Sequence, residues 1–98
     1  MEYVIAVEAS QDLDEILEYF LQRNIDAGEK FIREFNKKCQ NIVKFPNIGR
    51  SYAKFEPTLR GIPLDGYIIF YRVFEDRLVI VRVVSGYRNL ESLFADDE

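Results

Sequence analysis

The sequence predicts an α+β fold, with two antiparallel helices packed on one face of a mainly antiparallel sheet in the order β-α-α-β-β-β. Two observations predict it. Apolar residues recur at steps of three and four in the first half of the chain, and the second half changes to the alternation typical of strands. The chain has 98 residues, of which 48% are hydrophobic. This is enough for one core and too little for two, so we expect a single domain over residues 1–98.

The N-terminal half reads as a strand followed by a helix. Residues 3–7 form a short apolar run, which predicts the first strand. Ser10 is a favourable N-cap residue, and the carboxylates that follow it suit the first turns of a helix. Arg23 and Asn24 should end this helix. Its apolar stripe comprises Leu13, Ile16, Leu17, Phe20 and Leu21.

A second helix should follow after a short link. Asp26 and Glu29 have the spacing of a capping box, which predicts the helix start. Pro46 and Gly49 should terminate the helix. The short link makes the two helices an antiparallel hairpin. The apolar stripe of the second helix comprises Phe31, Ile32, Phe35, Cys39, Ile42 and Val43.

Three strands are predicted in the second half. Residues 59–62 are a short candidate that ends at Pro63, residues 67–74 alternate strongly, and a tight turn at Glu75-Asp76 leads into residues 78–84. Simple alternation along the last strand puts one set of side chains on one face, namely Leu78, Ile80, Arg82 and Val84, and the other set on the opposite face, namely Val79, Val81 and Val83. Both sets are largely apolar, so we expect both faces to be at least partly covered.

The chain end carries a short predicted helical turn at residues 89–94. Either Asn89 or Ser85 could cap it. The acidic end of the chain, residues 95–98, follows this turn.

Composition excludes several classes of site. The chain has one cysteine and no histidine, so it has no internal disulfide, no His-based metal site and no Ser-His or Cys-His nucleophile pair. It has no Gly-rich phosphate loop, no apolar run long enough to span a membrane, and no signal-peptide pattern at its N-terminus. We expect a protein of the reducing cytoplasm with no cofactor, no metal and no membrane association.

Charge is unevenly distributed along the chain. The formal net charge is −4, which disfavours a uniformly basic nucleic-acid binder. Residues 1–43 carry a net charge of −4, residues 44–88 a net charge of +4, and residues 89–98 a net charge of −4. The block that holds the predicted sheet is therefore basic.

Read with its local motifs, this order resembles the RelE/ParE superfamily of type II toxin–antitoxin toxins, most closely the ParE branch. Each motif is weak alone, but the set occurs in order over nearly the whole chain. Ser85 stands where many ParE-like members have histidine. The matching pieces are Asp12-Leu13 with Ile16 and Tyr19, Ala27 with Phe31-Ile32, Phe45-Pro46 with Gly49-Arg50, Leu59-Arg60 with Pro63, Tyr67 with Phe70-Tyr71-Arg72-Val73, and Ile80 with Arg82-Val83-Val84, Gly86 and Arg88.

The resemblance implies one of two activities. RelE-type members cleave mRNA on the ribosome, and ParE-type members poison DNA gyrase without nuclease chemistry. Phe94 stands where RelE-type enzymes have a C-terminal tyrosine, and Ile68 stands where they have a sheet arginine. Since histidine is also absent, we expect no catalytic residues and a ParE-like gyrase inhibitor that causes growth arrest and serves plasmid or genome stabilisation. A RelE-like ribosome-dependent endoribonuclease and a degenerate toxin that only pairs with an antitoxin are the alternatives.

The resemblance also implies partners. A cognate, ParD-like antitoxin should cover the toxin in a hetero-oligomer, and DNA should be reached only through the antitoxin. Candidate residues for contact with the target or the antitoxin are Arg60, Arg82, Arg88, Tyr87 and Arg50. The alternative for Arg82 is a structural pair with a carboxylate such as Asp65 or Glu75.

The other conspicuous side chains have plainer interpretations. Tyr67 and Tyr71 fit half-buried core positions better than a recognition patch. Cys39 fits a small core residue. The acidic residues of the first helix fit a solvated face.

Overall fold

The computed structural model describes residues 1–95 and confirms the α+β fold. In chain order its elements are β1 (Glu2–Ile5), α1 (Val7–Arg23), α2 (Ile25–Lys44), β2 (Arg50–Ser51), β3 (Arg60–Leu64), β4 (Tyr67–Val73), β5 (Arg77–Ser85) and α3 (Leu90–Phe94). Of the predicted acidic end, residues 96–98 lie outside the described residues. Within residues 1–95 no helix is long and apolar enough to cross a membrane.

The five strands form one sheet in the order β1-β5-β4-β3-β2. The β3–β4 and β4–β5 pairs are antiparallel, as predicted. β1 pairs with β5 in parallel, so the sheet is mixed. β2 was not predicted, because a strand of two residues, Arg50–Ser51, is too short to show a period; it pairs with Gly61 and Arg60 of β3.

A β-bulge corrects the predicted phase of the last strand. Phe70 pairs with Arg82, whereas its neighbour Tyr71 pairs with Ile80, so Val81 is an extra residue in β5. Simple alternation was therefore correct for Val81 and wrong for Val83 and Val84, which exchange faces after the bulge. Leu78, Ile80 and Val83 share the helix-side core, whereas Val81 and Val84 belong to the cluster on the opposite face.

Both helices begin before the predicted caps. α1 starts at Val7 with Ala6 as N-cap, and no side chain caps it. The N–H of Ser10 donates to the carbonyl of Ala6 at 2.9 Å, so Ser10 already lies inside the helix and the first strand ends at Ile5 rather than Val7. Asn24, not Asp26, caps α2, because its side-chain oxygen accepts from the N–H of Ala27.

Asn24 alone connects the two helices. It has an extended backbone (φ −162°) and also closes α1, its N–H donating to the carbonyl of Phe20. The tight hairpin brings Gly28 against α1, where an added Cβ would stand 3.3 Å from the Cβ of Phe20. Glycine at this position permits the close approach of the helices.

The sheet is covered on both faces, as expected. Against the helices lies the larger cluster, in which Phe31, Tyr71 and Ile80 are almost fully buried. Cys39 belongs to this cluster and is 0% exposed, which confirms its core assignment. A second cluster lies on the opposite face, where Phe70 and Val84 of the sheet pack against Tyr52 and Leu59 of the 52–59 segment. Side chains of α3 complete its cover. Asn89, rather than Ser85, caps α3.

Candidate functional site

The loop after β5 presents Tyr87 and Arg88 to solvent. Tyr87 is 96% exposed. The loop backbone is nevertheless held in place: the N–H of Tyr87 donates to the hydroxyl of Ser85, the N–H of Arg88 to the Ser85 carbonyl, and the N–H of Gly86 to the Gly66 carbonyl. A large aromatic side chain on a fixed backbone, beside a guanidinium group, is typical of a recognition surface.

A cleft of about 240 Å³ opens beside this loop, between α1 and the ends of β4 and β5. Its apolar floor comes from buried side chains, namely Ile16, Val83 and Val84. The polar groups around this floor belong to Asp12, Glu15, Tyr19, Tyr67, Ser85 and Arg88. An apolar floor with a polar rim suits the anchoring side chain of a protein partner.

The Tyr67 hydroxyl at the cleft is neutral. Burial raises the pKa of Tyr67, and the neighbouring Tyr19 raises it further. The Tyr67 hydroxyl therefore stays protonated at neutral pH and is available as a hydrogen-bond donor. Tyr67 also packs against the helix-side core, and its ring meets that of Phe31 edge-on at 5.6 Å. The core assignments of Tyr67 and Tyr71 are confirmed.

Arg82 forms a bidentate ion pair with Asp12 in the wall of the cleft. Its Nε donates to Oδ2 of Asp12 at 2.7 Å and its Nη2 donates to Oδ1 at 3.0 Å. The backbone N–H of Val83 also donates to Asp12 Oδ2 at 3.0 Å. The hydrogen bonds to Asp12 raise the pKa of Arg82 although burial opposes this. Asp12 thus joins α1 to β5 at the bulge.

The Arg82–Asp12 pair corrects two sequence interpretations. Asp65 and Glu75, the suggested partners of Arg82, lie in the turns that flank β4, and Asp12 takes that role instead. The interpretation of the acidic residues of α1 as a solvated face was wrong for Asp12, whose side chain is only 11% exposed. The reason is that Arg82 lies on the helix side of β5, the face it shares with Leu78 and Ile80, where Asp12 of α1 meets it.

Arg60 contacts the segment after α2 rather than the cleft. Its Nη1 donates to the carbonyl of Gly49 at 2.7 Å and to that of Asn47 at 3.3 Å. The hydroxyl of Tyr71 donates to the carbonyl of Pro46 and accepts from the N–H of Gly49. A Cβ added at Gly49 would come within 2.6 Å of this hydroxyl. Arg60 and Tyr71 together fix the 46–49 segment.

Arg50 lies at the opposite edge of the sheet, on β2. Its guanidinium carbon is 5.3 Å from the centroid of the Tyr52 ring, within the range of a cation–π contact. It lines a second cleft of about 220 Å³ with Tyr52, Gly61, Pro63 and Ile68. The five candidate residues therefore lie in three separate places. The cleft beside α1 brings Arg88 together with Asp12, the partner of Arg82, and Tyr87 precedes Arg88 in the loop beside it.

Sequence reasoning did not assign Glu15 and Tyr19 to a site, and it missed that Asp12 pairs with Arg82. The available signal was helical spacing, because positions 12, 15, 16 and 19 lie on one face of a helix. Phe94 and Ile68, compared above with nuclease positions of RelE-type enzymes, serve packing here. Phe94 stacks on Phe55 at 5.5 Å and meets Phe70 edge-on at 5.0 Å, and Ile68 belongs to the same cluster.

Comparison with known families decides the family. The sequence profile described as ParE toxin of type II toxin-antitoxin system, parDE, matches residues 3–90. The chain belongs to the ParE toxin family. The match begins at the second residue of β1 and ends at the first residue of α3, so α1, α2, β2 to β5 and the Tyr87–Arg88 loop of this ParE-family toxin lie within it.

Two individual relatives agree with this assignment. Toxin ParE3 of Caulobacter vibrioides is 24% identical over 82 residues, which is 83% of this chain and 82% of that protein. A solved structure titled chromosomal ParDE TA system from P. aeruginosa superposes with a TM-score of 0.72 at 18% identity, covering 87% of this chain and 95% of the other. The structural likeness bears on the fold alone.

Proposed function

We propose that this ParE-family toxin inhibits DNA gyrase in the cytoplasm. Its Tyr87–Arg88 loop inserts into a gyrase surface, and the adjoining cleft receives a gyrase side chain. The observation that carries the proposal is the loop itself: an aromatic side chain that is 96% exposed on a hydrogen-bonded backbone, next to a cleft with an apolar floor. Non-enzymatic inhibition needs a rigid binding surface and no reacting groups.

The surroundings of Phe94 and Ile68 support inhibition over RNA cleavage. Cleavage through a 2′-hydroxyl needs a proton acceptor, a donor for the leaving oxygen and a cation for the phosphate. Phe94 and Ile68 are apolar side chains within the second hydrophobic cluster. Growth arrest by the free toxin and stabilisation of the plasmid or genome that encodes the pair would follow from gyrase inhibition.

A cognate antitoxin completes the proposal. The structural relative is titled as a ParDE system, and by analogy this chain would form a hetero-oligomer with a ParD-like protein. In that complex operator DNA is bound by the antitoxin. Exposed apolar side chains offer it a docking area, among them Val7, Leu21, Ile25 and Phe45, which are each more than half exposed.

The test uses purified toxin with gyrase and supercoiled or relaxed plasmid. We expect supercoiling to be inhibited and cleaved-complex DNA to accumulate. Tyr87→Ala and Arg88→Gln should each raise the half-inhibitory concentration at least about tenfold, the effect of losing a moderate hot spot. Arg77→Gln is the matched control, because the Arg77 side chain is 52% exposed and lies at the far end of β5; it should inhibit like the wild type.

Unaffected gyrase at saturating toxin would refute the proposal. Primer extension on cellular mRNA after induction of the toxin tests the nuclease alternative, because only that alternative predicts codon-aligned cuts. Harmless expression without the antitoxin would instead support a degenerate binding module. Retained antitoxin binding by the two loop variants shows that they are folded.

A further inference from the structure

The outer face of α2 carries only cationic and amide side chains along its last three turns. We call it the α2 polar face, and all six of its residues are exposed. They recur at steps of three and four, which places them on one side of a helix. They are Arg33, Asn36, Lys37, Gln40, Asn41 and Lys44. The opposite side of the same segment, with Phe35, Cys39 and Ile42, is buried against the sheet, so the direction of the α2 polar face is fixed.

The cations of this face are not neutralised by close carboxylates. Among residues 1–95, the ion pairs within 4.0 Å involve Arg72, Arg77 and Arg82, and none involves α2. Three carboxylates border the face: Glu29 one turn before Arg33, Glu34 at its side, and Glu2 of β1, which lines one cleft with Gln40 and Lys44. Residues 35–44 themselves contain no acidic residue. The α2 polar face is therefore locally basic although the whole chain is acidic.

Its side chains are hydrogen-bond donors suited to phosphate. Arginine, lysine, asparagine and glutamine make most side-chain contacts to the backbone of nucleic acids. Asn36 accepts a hydrogen bond from the Tyr3 hydroxyl through Oδ1, which leaves its amide N–H groups as donors. From Arg33 to Lys44 the face spans about 17 Å of helix, equal to about five base pairs of duplex.

The same composition argues against an acidic protein as the partner. Protein interfaces depend on aromatic or aliphatic anchors that become buried, and the six side chains of the α2 polar face include none. Apolar side chains of Met1, Tyr3 and Val43 border the face only at its C-terminal end, in the cleft that Gln40 and Lys44 line. Phosphate recognition needs no apolar anchor, because its affinity comes from the release of counterions. We propose that the α2 polar face binds the phosphate backbone of duplex DNA directly, independent of base sequence.

This contact goes beyond the proposed function, and it departs from the expectation, drawn from the resemblance, that DNA is reached only through the antitoxin. No residue of α2 lines the cleft beside Arg88, so DNA on this face leaves that cleft open. A toxin that engages a DNA-bound enzyme through its loop could then hold the DNA through α2. Because the assay below contains no gyrase, its failure and the failure of gyrase inhibition are distinguishable.

The test measures fluorescence anisotropy of a short labelled DNA duplex with the purified toxin at several salt concentrations. Three cations should give a slope of about −2.7 in log K against log salt, so affinity should fall roughly 200-fold between about 20 and 150 mM salt. The triple variant Arg33→Gln, Lys37→Gln, Lys44→Gln should lose at least about tenfold in affinity at the lowest salt and most of the slope.

A charge-matched control removes three cations elsewhere, through Arg23→Gln, Lys54→Gln and Arg77→Gln, and should bind like the wild type. Equal losses in both triple variants would overturn the proposal, since net charge alone would then govern binding. Wild-type toxin that fails to bind duplex at the lowest salt, or binds polyglutamate as well as DNA, would overturn it too. Unchanged unfolding midpoints for both variants exclude a folding defect.

Discussion

At the scale of single residues, Asp12 has the most connected role in the molecule. One carboxylate accepts two hydrogen bonds from the Arg82 guanidinium and one from the backbone N–H of Val83. It thereby ties the first helix to the last strand, 70 residues later in the chain. Because both side chains are largely shielded from solvent, removing one partner leaves the other charge poorly compensated.

Asp12→Ala should lower the free energy of unfolding by about 2–3 kcal/mol, the cost of losing charge-assisted hydrogen bonds in a partly buried site. The double variant Asp12→Leu, Arg82→Met should recover part of this loss, since it removes both charges. Urea unfolding monitored by circular dichroism measures each value. Asp14→Ala on the exposed side of α1 is the control, with a change within about 0.5 kcal/mol. Equal stability of Asp12→Ala and wild type would show that the pair contributes nothing.

At the scale of elements, the helix hairpin depends on a single connecting residue. Asn24 ends α1 with its backbone N–H and begins α2 with its side-chain oxygen. Sequence spacing favoured Asp26 as the cap, because Asp26 and Glu29 match a capping box. Asn24 is as good a cap as Asp26, and only the tight hairpin, with Gly28 against Phe20, selects between them.

Asn24→Ala should cost about 1 kcal/mol of stability, the usual value of an N-cap side chain. Asp26→Ala should cost clearly less, because Asp26 contributes only to the favourable interaction with the helix dipole. Thermal unfolding of the two variants side by side separates them. A larger loss for Asp26→Ala would place the start of α2 where the capping box put it.

The elements also show how far sequence reasoning reaches. Periodicity predicted both helices and the three longer strands, because each has a long apolar stripe or alternation. β2 was missed because Arg50–Ser51 has no period and exists through its pairing with β3. The parallel pairing of β1 was missed because its short apolar run fits beside its one partner, β5, in either direction. In the candidate site, Tyr87 and Arg88 were found as a polar loop, but the neighbouring cleft depends on the bulge at Val81, which no local residue preference indicates.

At the scale of the whole molecule, the centre of the helix-side core holds the only thiol. Burial raises the pKa of Cys39 to about 12. An unfolded chain has an ordinary thiol, so above about pH 9 it releases a proton that the folded chain retains. The free energy of unfolding should therefore be unaffected by this group at neutral pH and fall by up to about 1.4 kcal/mol per pH unit between about pH 9 and 12.

Cys39→Ala tests this dependence directly. The variant should be less stable at pH 7, because it leaves a small cavity, by about 1 kcal/mol for the removed atoms. Its stability should decline less steeply than that of the wild type above pH 9, so the difference between the two should shrink. Three tyrosines also have raised pKa values, namely Tyr3, Tyr67 and Tyr71. They are present in both proteins, so their contributions cancel in the difference between the two stabilities. Parallel pH profiles would contradict the assignment.

The parallel pairing of β1 with β5 has a consequence for the order of folding during synthesis. Residues 2–5 of β1 pair with residues 77–80 of β5. The first strand therefore cannot pair until the last strand has been synthesised. At about 5–20 residues per second, the ribosome needs on the order of 4–15 s to reach β5 after making β1. Until then α1 lacks β5, the strand to which Asp12 is bonded, and β1 cannot join the sheet, because β5 lies between β1 and β4. Completion of the sheet is thus a late event in translation, governed by long-range contacts.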